Sequence, residues 1–188
     1  MFPRPDFFAG ALLNFAENLL FPANVHVKED QTAVITLTER EGDRVETTWA
    51  ELREQVRRCA SALKAAGVKE NSIVAGYVSN HVQALAAMLA AASLGAIWTG
   101  ISPDNGVSAV LDRLAQIGPQ ILFADDGTVY NGKAWSSAAK TMDIVEKLQQ
   151  HGLKQVVVIK NLGNVDLGLS ALESLNVKAV EYESFLSR

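Results

Sequence analysis

The segment Gly127–Ala134 has the residue types and the spacing of a phosphate-binding loop. Its sequence, GTVYNGKA, follows a short apolar run and matches the pattern G-x-x-x-x-G-K-[ST] at every position except the last. In such a loop, backbone amides and the lysine hold phosphate oxygens, and the final hydroxyl holds Mg²⁺. Ala134 lacks that hydroxyl, Tyr130 is bulky, and Asp125 and Asp126 place two negative charges beside any phosphate. These departures argue against a nucleoside-triphosphate loop.

Two interpretations of Lys133 remain open. The segment is either an ordinary surface turn with a solvated Lys133, or a loop in which Lys133 and an exposed Gly132 amide meet a phosphate without a metal ion. The residues alone favour the surface turn.

Other side chains with catalytic chemistry are too scattered to indicate a site. The three histidines, His26, His81 and His151, lie far apart, and no Cys or His cluster has the spacing of metal ligands. No G-x-S-x-G elbow or G-x-G-x-x-G fingerprint occurs. Ser79 and Ser102 have no His and acid partners at recognisable spacings, so we expect them to be cap or turn residues.

Composition indicates a globular protein of about one domain. Of the 188 residues, 48% are apolar and 20% charged, and 17 Lys and Arg against 21 Asp and Glu give a net charge of -4. Such a chain offers no basic field to nucleic acid or anionic lipid. Pro3, Pro5 and Asp6 interrupt any signal peptide. The single Cys59, at an apolar position of a helical pattern, fits a reducing compartment, so we expect a cytoplasmic protein.

The uncharged run Asn71–Pro103 is long enough to cross a membrane. Ser93 and Gly95 divide it, however, and alanine supplies much of its apolar content. Buried parallel strands and their helices produce the same pattern. We therefore expect no membrane span.

Local patterns predict an α/β fold. Thr32–Thr38 and Val45–Thr48, separated by a turn, indicate a β-hairpin. Thr48 and Glu51 form a capping box that starts a helix, and Gly67 ends it. Apolar strands and amphipathic helices then alternate: strands over 73–78, 96–99, 120–124, 155–159 and 177–182, and helices over 82–92, 107–117 and 138–148, with Ser79 or Asn80 and Ser136 or Ser137 as N-caps.

This alternation implies right-handed crossovers and a mainly parallel sheet with helices on both faces, preceded by the hairpin. We expect a lead-in over residues 1–25, an α/β core over 26–160, and a looser segment over 161–188 that opens with a loop at 161–168.

Four segments of the chain resemble one known family. They are Asp6–Leu20 (DFFAGALLNFAENLL), Thr47–Val56 (TTWAELREQV), Leu94–Asp125 and Val129–Lys133 (VYNGK). Together they resemble the adenylate-forming enzymes of the acyl-CoA synthetase type, most closely the N-terminal part of acetoacetyl-CoA synthetases. Since the resemblance covers only the first part of that family's large N-terminal domain, we expect 1–188 to form a single partial domain.

The resemblance implies a ligase that uses ATP to activate a short carboxylic acid, such as acetoacetate, as an acyl-adenylate and then transfers the acyl group to coenzyme A. In related enzymes the loop matching VYNGK lies beside the nucleotide end of coenzyme A. If the same contacts hold in this sequence, the resemblance implies that Lys133 contacts a phosphate of coenzyme A and that Tyr130 stacks or packs against the adenine. Asn131 and Gly132 would complete the loop. The turn Ser102–Gly106 is a weaker candidate for the same ligand.

The catalytic motifs of that family do not occur in the 188 residues. Among them are the Ser/Thr/Gly-rich phosphate loop that ends in lysine, the segments for adenine and Mg²⁺, the ribose-binding aspartate and the catalytic lysine. We therefore expect no catalytic residue here and no adenylation by this chain alone, because nothing would stabilise the charge that develops on the α-phosphate. ATP and Mg²⁺ are expected only in a full-length ligase, whereas coenzyme A is a cofactor that this part can contact.

Three hypotheses follow. The chain is a fragment of an acid–CoA ligase, or a stand-alone module that binds coenzyme A, an acyl-CoA or a protein partner, or an unrelated small α/β protein. In the first case we expect an exposed apolar surface that supports self-association. In the second case that surface, or an exposed sheet edge, is the interface with a partner.

Overall fold

Strands and helices alternate along the chain, as the sequence predicts. The computed structural model describes residues 2–5, 8–39, 42–162 and 168–187. The strands are β1 (Thr32–Leu37), β2 (Arg44–Thr48), β3 (Ile73–Tyr77), β4 (Ile97–Ile101), β5 (Ile121–Asp125), β6 (Gly127–Tyr130), β7 (Lys133–Ser136), β8 (Gln155–Ile159) and β9 (Lys178–Glu181). The helices are α1 (Phe15–Leu20), α2 (Trp49–Ala65), α3 (Val82–Ser93), α4 (Val107–Ile117), α5 (Ala138–Leu148), α6 (Leu169–Glu173) and α7 (Tyr182–Leu186).

Five of the strands form one parallel sheet in the order β4-β3-β5-β8-β9. The chain leaves β3 towards β4 on one side and then returns to β5 on the other. The carboxyl ends of β3 and β5 therefore flank a topological switch point, which is where open α/β sheets usually bind ligands. The α/β fold class is confirmed.

Helices cover both faces of this sheet because its central strands carry apolar side chains on both faces. On β5, Phe123 packs with α2, α3 and α7, whereas Leu122 packs with α4 and α5. On β8, Val157 packs on the side of α2, α3 and α7, and Val156 packs on the side of α4 and α5. All four side chains are fully buried. Such continuous apolar runs are typical of parallel strands that lie between two helical layers.

The predicted hairpin and capping box are both present. Strands β1 and β2 pair antiparallel from Leu37↔Arg44 to Thr32↔Thr48. The Thr48 hydroxyl accepts a hydrogen bond from the Glu51 amide at 3.3 Å, and the Glu51 carboxylate accepts one from the Thr48 amide at 2.7 Å. Gly67 follows α2 with a φ of 88°, a conformation that glycine adopts without strain.

The predicted N-cap of α3 is wrong. His81, rather than Ser79 or Asn80, caps this helix, because its ring nitrogen accepts a hydrogen bond from the Ala84 amide at 3.1 Å. At α5 the prediction of Ser137 is confirmed in position, although its side chain makes no capping bond.

The C-terminal segment packs more firmly than the sequence suggests. Strand β9 pairs with β8 in the central sheet, and Phe185 of α7 is fully buried against Phe123, with their ring centroids 5.9 Å apart. The expectation of a looser segment over 161–188 therefore does not describe β9 and α7. Residues 163–167 of the predicted loop lie outside the described residues.

The long uncharged run forms β3, α3 and β4 rather than a single span. Among the described residues, no helix is both long and apolar enough to cross a membrane. The lack of charge reflects burial, since α3 alone contributes five buried residues to the core.

Candidate functional site

The loop that resembles a phosphate-binding motif is the tip of a β-hairpin. Strands β6 and β7 pair antiparallel, and only Asn131 and Gly132 connect them, with φ angles of 51° and 69°. Asn-Gly favours this tight turn because both central residues need positive φ. A nucleoside-triphosphate loop joins a strand to a helix instead. The segment is therefore not such a loop, in agreement with the departures in its sequence.

One face of the hairpin carries two exposed aromatic rings and a lysine. Tyr130 stands opposite Lys133, and Thr128 stands opposite Trp135. Residues directly opposite on paired strands share a face, so all four side chains lie on the same side. Tyr130 is 71% exposed and Trp135 is 57% exposed. Exposed aromatic rings beside a cation are typical of surfaces that bind nucleotides.

A cleft of about 220 Å³ separates this aromatic face from the turn after β4. Tyr130 and Trp135 form one wall, and Pro103 and Asp104 contribute to the other. Lys140, in the first turn of α5, also lines the cleft, and its ammonium donates a hydrogen bond to the Pro103 carbonyl at 3.1 Å. The structure thus brings together the hairpin and the turn that the sequence analysis names separately.

A buried tyrosine holds that turn in place. The Tyr77 hydroxyl lies 2.9 Å from the carbonyl oxygens of both Pro103 and Asn105. Burial raises the pKa of the Tyr77 phenol, and the nearby Asp104 carboxylate raises it further. The phenol therefore keeps its proton at neutral pH and remains a donor to the turn.

The charges around the cleft suit an anionic ligand on one side only. Lys133 and Lys140 supply two cations, and within the described residues Lys133 makes no ion pair. Asp104 is the opposing carboxylate, and it accepts a hydrogen bond from the Ser102 hydroxyl at 3.1 Å. Tyr130, Trp135, Lys140 and Asp104 thus line one cleft, and Lys133 lies on the same face of the hairpin as the two rings.

The amides at the hairpin tip already hold an anion. The Asn131 amide donates to one carboxylate oxygen of Glu39 at 2.8 Å, and the Gly132 amide donates to the other at 2.9 Å. The Gly132 amide, which one of the two interpretations expects to meet a phosphate, donates instead to a carboxylate 93 residues away in the sequence.

A hydrogen-bonded network lies at the switch point of the sheet. The buried Asp125 carboxylate accepts hydrogen bonds from the Ser79 amide at 2.7 Å, from the Ser79 hydroxyl at 2.5 Å and from the His81 ring at 2.9 Å. The structure gives Ser79 an acid partner, Asp125, which also binds His81, although the sequence shows no such partners at recognisable spacings. Spacing did not reveal them because Asp125 lies on another strand.

This network is not a nucleophilic triad. The Ser79 hydroxyl donates to Asp125 rather than to His81. The second ring nitrogen of His81 accepts from the Ala84 amide, which assigns the ring proton to the nitrogen that faces Asp125. The His81 ring therefore has no nitrogen left to accept the serine proton, and the three residues fix the ends of β3, β5 and α3. Ser79 and His81 line a groove of about 900 Å³ whose walls also include Trp98 and Tyr130.

The second acidic residue also points inward. The Asp126 carboxylate accepts hydrogen bonds from the Asn161 amide at 2.7 Å and the Leu162 amide at 3.2 Å. Neither Asp125 nor Asp126 therefore faces the hairpin tip as a free charge. Within the described ranges, no group of three or more His, Cys, Asp or Glu residues could hold a metal ion.

Sequence reasoning missed three residues of this region: Glu39, Trp135 and Lys140. A single lysine in the first turn of a helix and a single glutamate after a strand are typical of solvated surfaces, so neither gave a signal. Trp135 could have been found, because Asn-Gly between Val129-Tyr130 and Lys133-Ala134-Trp135 is also a hairpin signal. The match to the phosphate-loop pattern obscured it.

Comparison with known proteins agrees with the resemblance noted from the sequence. A malonamoyl-CoA synthetase of Penicillium aethiopicum is 45% identical over 188 residues, which are 100% of this chain and 26% of that protein. An acetoacetyl-CoA synthetase of Macaca fascicularis is 44% identical over 155 residues, or 82% of this chain and 22% of that protein. The structure of an acetoacetyl-CoA synthetase from Streptomyces lividans superposes with a TM-score of 0.83 at 33% identity, over 97% of this chain and 26% of that one.

The chain thus spans about a quarter of the length of these relatives. A family model described as AMP-binding enzyme matches residues 21–180, which include the switch point, the cleft and the hairpin. On this match, the chain belongs to the family of AMP-binding enzymes.

Proposed function

We propose that the chain is the N-terminal portion of an acid–CoA ligase and that it contributes the binding site for the nucleotide end of coenzyme A. Three observations support this: the family match over residues 21–180, relatives named as CoA synthetases, and the cleft beside the β6–β7 hairpin. The cleft carries the proposal, because it brings two exposed aromatic rings and Lys140 around one space.

In this proposal the adenine packs against Tyr130 and Trp135, whose exposed rings offer stacking surfaces. Lys133 contacts a phosphate, Lys140 adds a second positive charge 3.1 Å from the Pro103 carbonyl, and Asn131 and Gly132 shape the tip. The site binds and orients a ligand. It contains no group that we assign to a chemical step.

The reaction is proposed for a full-length ligase. There, the carboxylate of a short acid attacks the α-phosphate of ATP, pyrophosphate leaves, and the thiol of coenzyme A then displaces AMP from the acyl-adenylate. Relatives named for acetoacetate and malonamoyl substrates support a short acid with a second polar group. The described residues of this chain offer Mg²⁺ no cluster of ligands, so we assign ATP and Mg²⁺ to other parts of such an enzyme.

We propose that the chain alone does not adenylate acids. The 188 residues contain no phosphate loop of the family type and no catalytic lysine in its motif, so nothing would stabilise the charge on the α-phosphate. A coupled assay of pyrophosphate release with ATP, Mg²⁺ and acetoacetate tests this. We expect the rate of a blank without protein, and sustained turnover would contradict the proposal.

Calorimetric titration with coenzyme A tests the binding function. We expect saturable binding that is weakened roughly tenfold in Lys133→Ala, because a phosphate contact with a cation is lost. Lys147→Ala is the matched control, since it removes the same charge from the exposed side of α5 outside the cleft. Dephospho-coenzyme A, which lacks the 3′-phosphate, should bind wild type and Lys133→Ala equally. Absence of saturation would reject the proposal.

A stand-alone module that binds a protein partner is the second candidate. Strand β4 lies at an edge of the described sheet, and its Ile97 is 50% exposed. The lead-in adds further exposed apolar side chains, with Leu12 98% and Leu13 72% exposed. Apolar surface of this kind favours association. Light scattering of the purified chain separates the two candidates: self-association would favour the fragment, and a monomer at all concentrations would favour the partner-binding module.

A further inference from the structure

The hairpin tip is an anion-binding concavity with a carboxylate in it. Adjacent amides of Asn131 and Gly132 point in one direction because both residues have positive φ. They donate to the two oxygens of Glu39 at 2.8 and 2.9 Å. Successive amides that converge in a turn form a known type of anion site. Here, the resident anion belongs to the protein itself.

The same donors suit a phosphate. A carboxylate and a phosphate each present two oxygens to a pair of neighbouring donors, so the two groups exclude each other from the amides. Lys133 follows the turn directly and makes no ion pair among the described residues, so it adds an available positive charge. The tip therefore has the donors of an oxyanion site, and the Glu39 carboxylate occupies the two amides.

Glu39 also joins two parts of the fold. It follows β1 and reaches the β6–β7 hairpin, and a cavity of about 400 Å³ between the two hairpins is lined by Glu39, Asp43 and Thr128. Asp43 accepts a hydrogen bond from the Thr38 hydroxyl at 2.9 Å and adds a second negative charge on this side. An approaching phosphate meets both the occupied amides and this negative field.

We propose that Glu39 is a built-in competitor that limits phosphate binding at the Asn131 and Gly132 amides. A phosphate-bearing ligand reaches these amides only when the Glu39 carboxylate leaves them. The identity of that phosphate as the 3′-phosphate of coenzyme A rests on the proposed function. The competition itself rests only on the two hydrogen bonds and the charges around them.

The test compares wild type with Glu39→Gln, and Glu173→Gln on α6 is the matched control for lost charge. Inorganic phosphate is titrated into each nitrogen-15-labelled protein, and the amide signals of Asn131 and Gly132 are followed. In Glu39→Gln we expect half-saturation at a phosphate concentration roughly fivefold lower than in wild type, because a charged competitor is removed. Glu39→Ala repeats the measurement without the amide carbonyl of Gln. Unchanged dispersion of the other signals confirms that the exposed position tolerates each change.

Equal half-saturation in wild type and in both Glu39 variants would overturn the proposal, as would a lack of any phosphate response at the two amides. A second titration, with coenzyme A and dephospho-coenzyme A, separates this result from the proposed function. If the phosphate result holds and coenzyme A binds no protein, Glu39 is a competitor and the assignment of the ligand fails. If coenzyme A binds every protein equally and phosphate binding does not change, the assignment stands and the competitor role fails.

Discussion

Ser79 and Asp125 join the ends of two neighbouring parallel strands through one carboxylate oxygen, which accepts from both the amide and the hydroxyl of Ser79 at 2.7 and 2.5 Å. The Asp125 side chain is fully buried. A buried carboxylate is tolerated there because Ser79 and His81 donate hydrogen bonds to its oxygens. Ser79 and His81 also line the neighbouring groove, so this contact fixes part of its wall.

Asp125→Asn should destabilise the fold strongly. The replacement amide keeps only one oxygen, so its NH₂ group must face either the two Ser79 donors or the His81 ring. We expect a loss of about 2–3 kcal/mol in the free energy of unfolding, measured by urea titration. Asp143→Asn, on the exposed side of α5, is the control and should stay within about 0.5 kcal/mol of wild type. Equal effects would mean that the network contributes little.

Two substitutions at His81 separate its two roles. Asn retains an acceptor for the Ala84 amide at the start of α3, whereas Ala does not, and both lose the bond to Asp125. We expect His81→Ala to be less stable than His81→Asn by about 1 kcal/mol in urea unfolding. If the two variants have the same free energy of unfolding, the capping bond of His81 does not stabilise α3.

Cys59 should make the stability of the fold depend on alkaline pH. Burial raises the pKa of this thiol from 9.0 to about 12. Between these values the folded protein holds a proton that the unfolded chain releases, so this stability is present below about pH 9 and is lost as the pH rises. From about pH 9 to pH 10, wild type should lose about 1 kcal/mol more than Cys59→Ala.

The measurement is the free energy of unfolding of both proteins across that interval under reducing conditions. Burial also raises the pKa of the Tyr182 phenol. This phenol is present in both proteins, so its contribution to the pH dependence of stability cancels in the comparison. Parallel pH profiles for wild type and Cys59→Ala would show that the thiol ionises freely in the folded state.

Two tyrosine substitutions form a matched pair. Tyr77→Phe removes a hydroxyl that contacts the turn after β4, so we expect a loss of about 1–1.5 kcal/mol in unfolding free energy and weaker binding of coenzyme A. Tyr182→Phe removes a buried hydroxyl that has no hydrogen-bond partner in the described part of the chain. It should be neutral or slightly stabilising by the same measurement. A larger loss in Tyr182→Phe than in Tyr77→Phe would reverse this account of the two hydroxyls.

The fold was predictable from the sequence where the signals are local. The Thr48 and Glu51 capping box lies within four residues, and the apolar runs of β5 and β8 show burial between two layers. Contacts across the fold left no comparable signal. Glu39 meets the Asn131 amide across 92 residues, and neither residue is unusual for its own segment.

The candidate site was predictable only in part for the same reason. Tyr130 and Lys133 were identified from the loop, and the register of the hairpin places both on one face with Trp135. Lys140 became visible only through its contact with Pro103, because the chain must fold before α5 meets the turn after β4. His81 was overlooked as a cap because Ser and Asn are commoner in that role.

We propose that this chain by itself holds the nucleotide end of coenzyme A in the cleft beside the β6–β7 hairpin. The most direct measurement is a map of backbone amide signals from the nitrogen-15-labelled chain during a titration with coenzyme A. We expect saturable shifts that concentrate at residues 102–105, 128–135 and 137–140. Shifts confined to the edge strand β4 or to the lead-in, or no saturable shift at all, would contradict it.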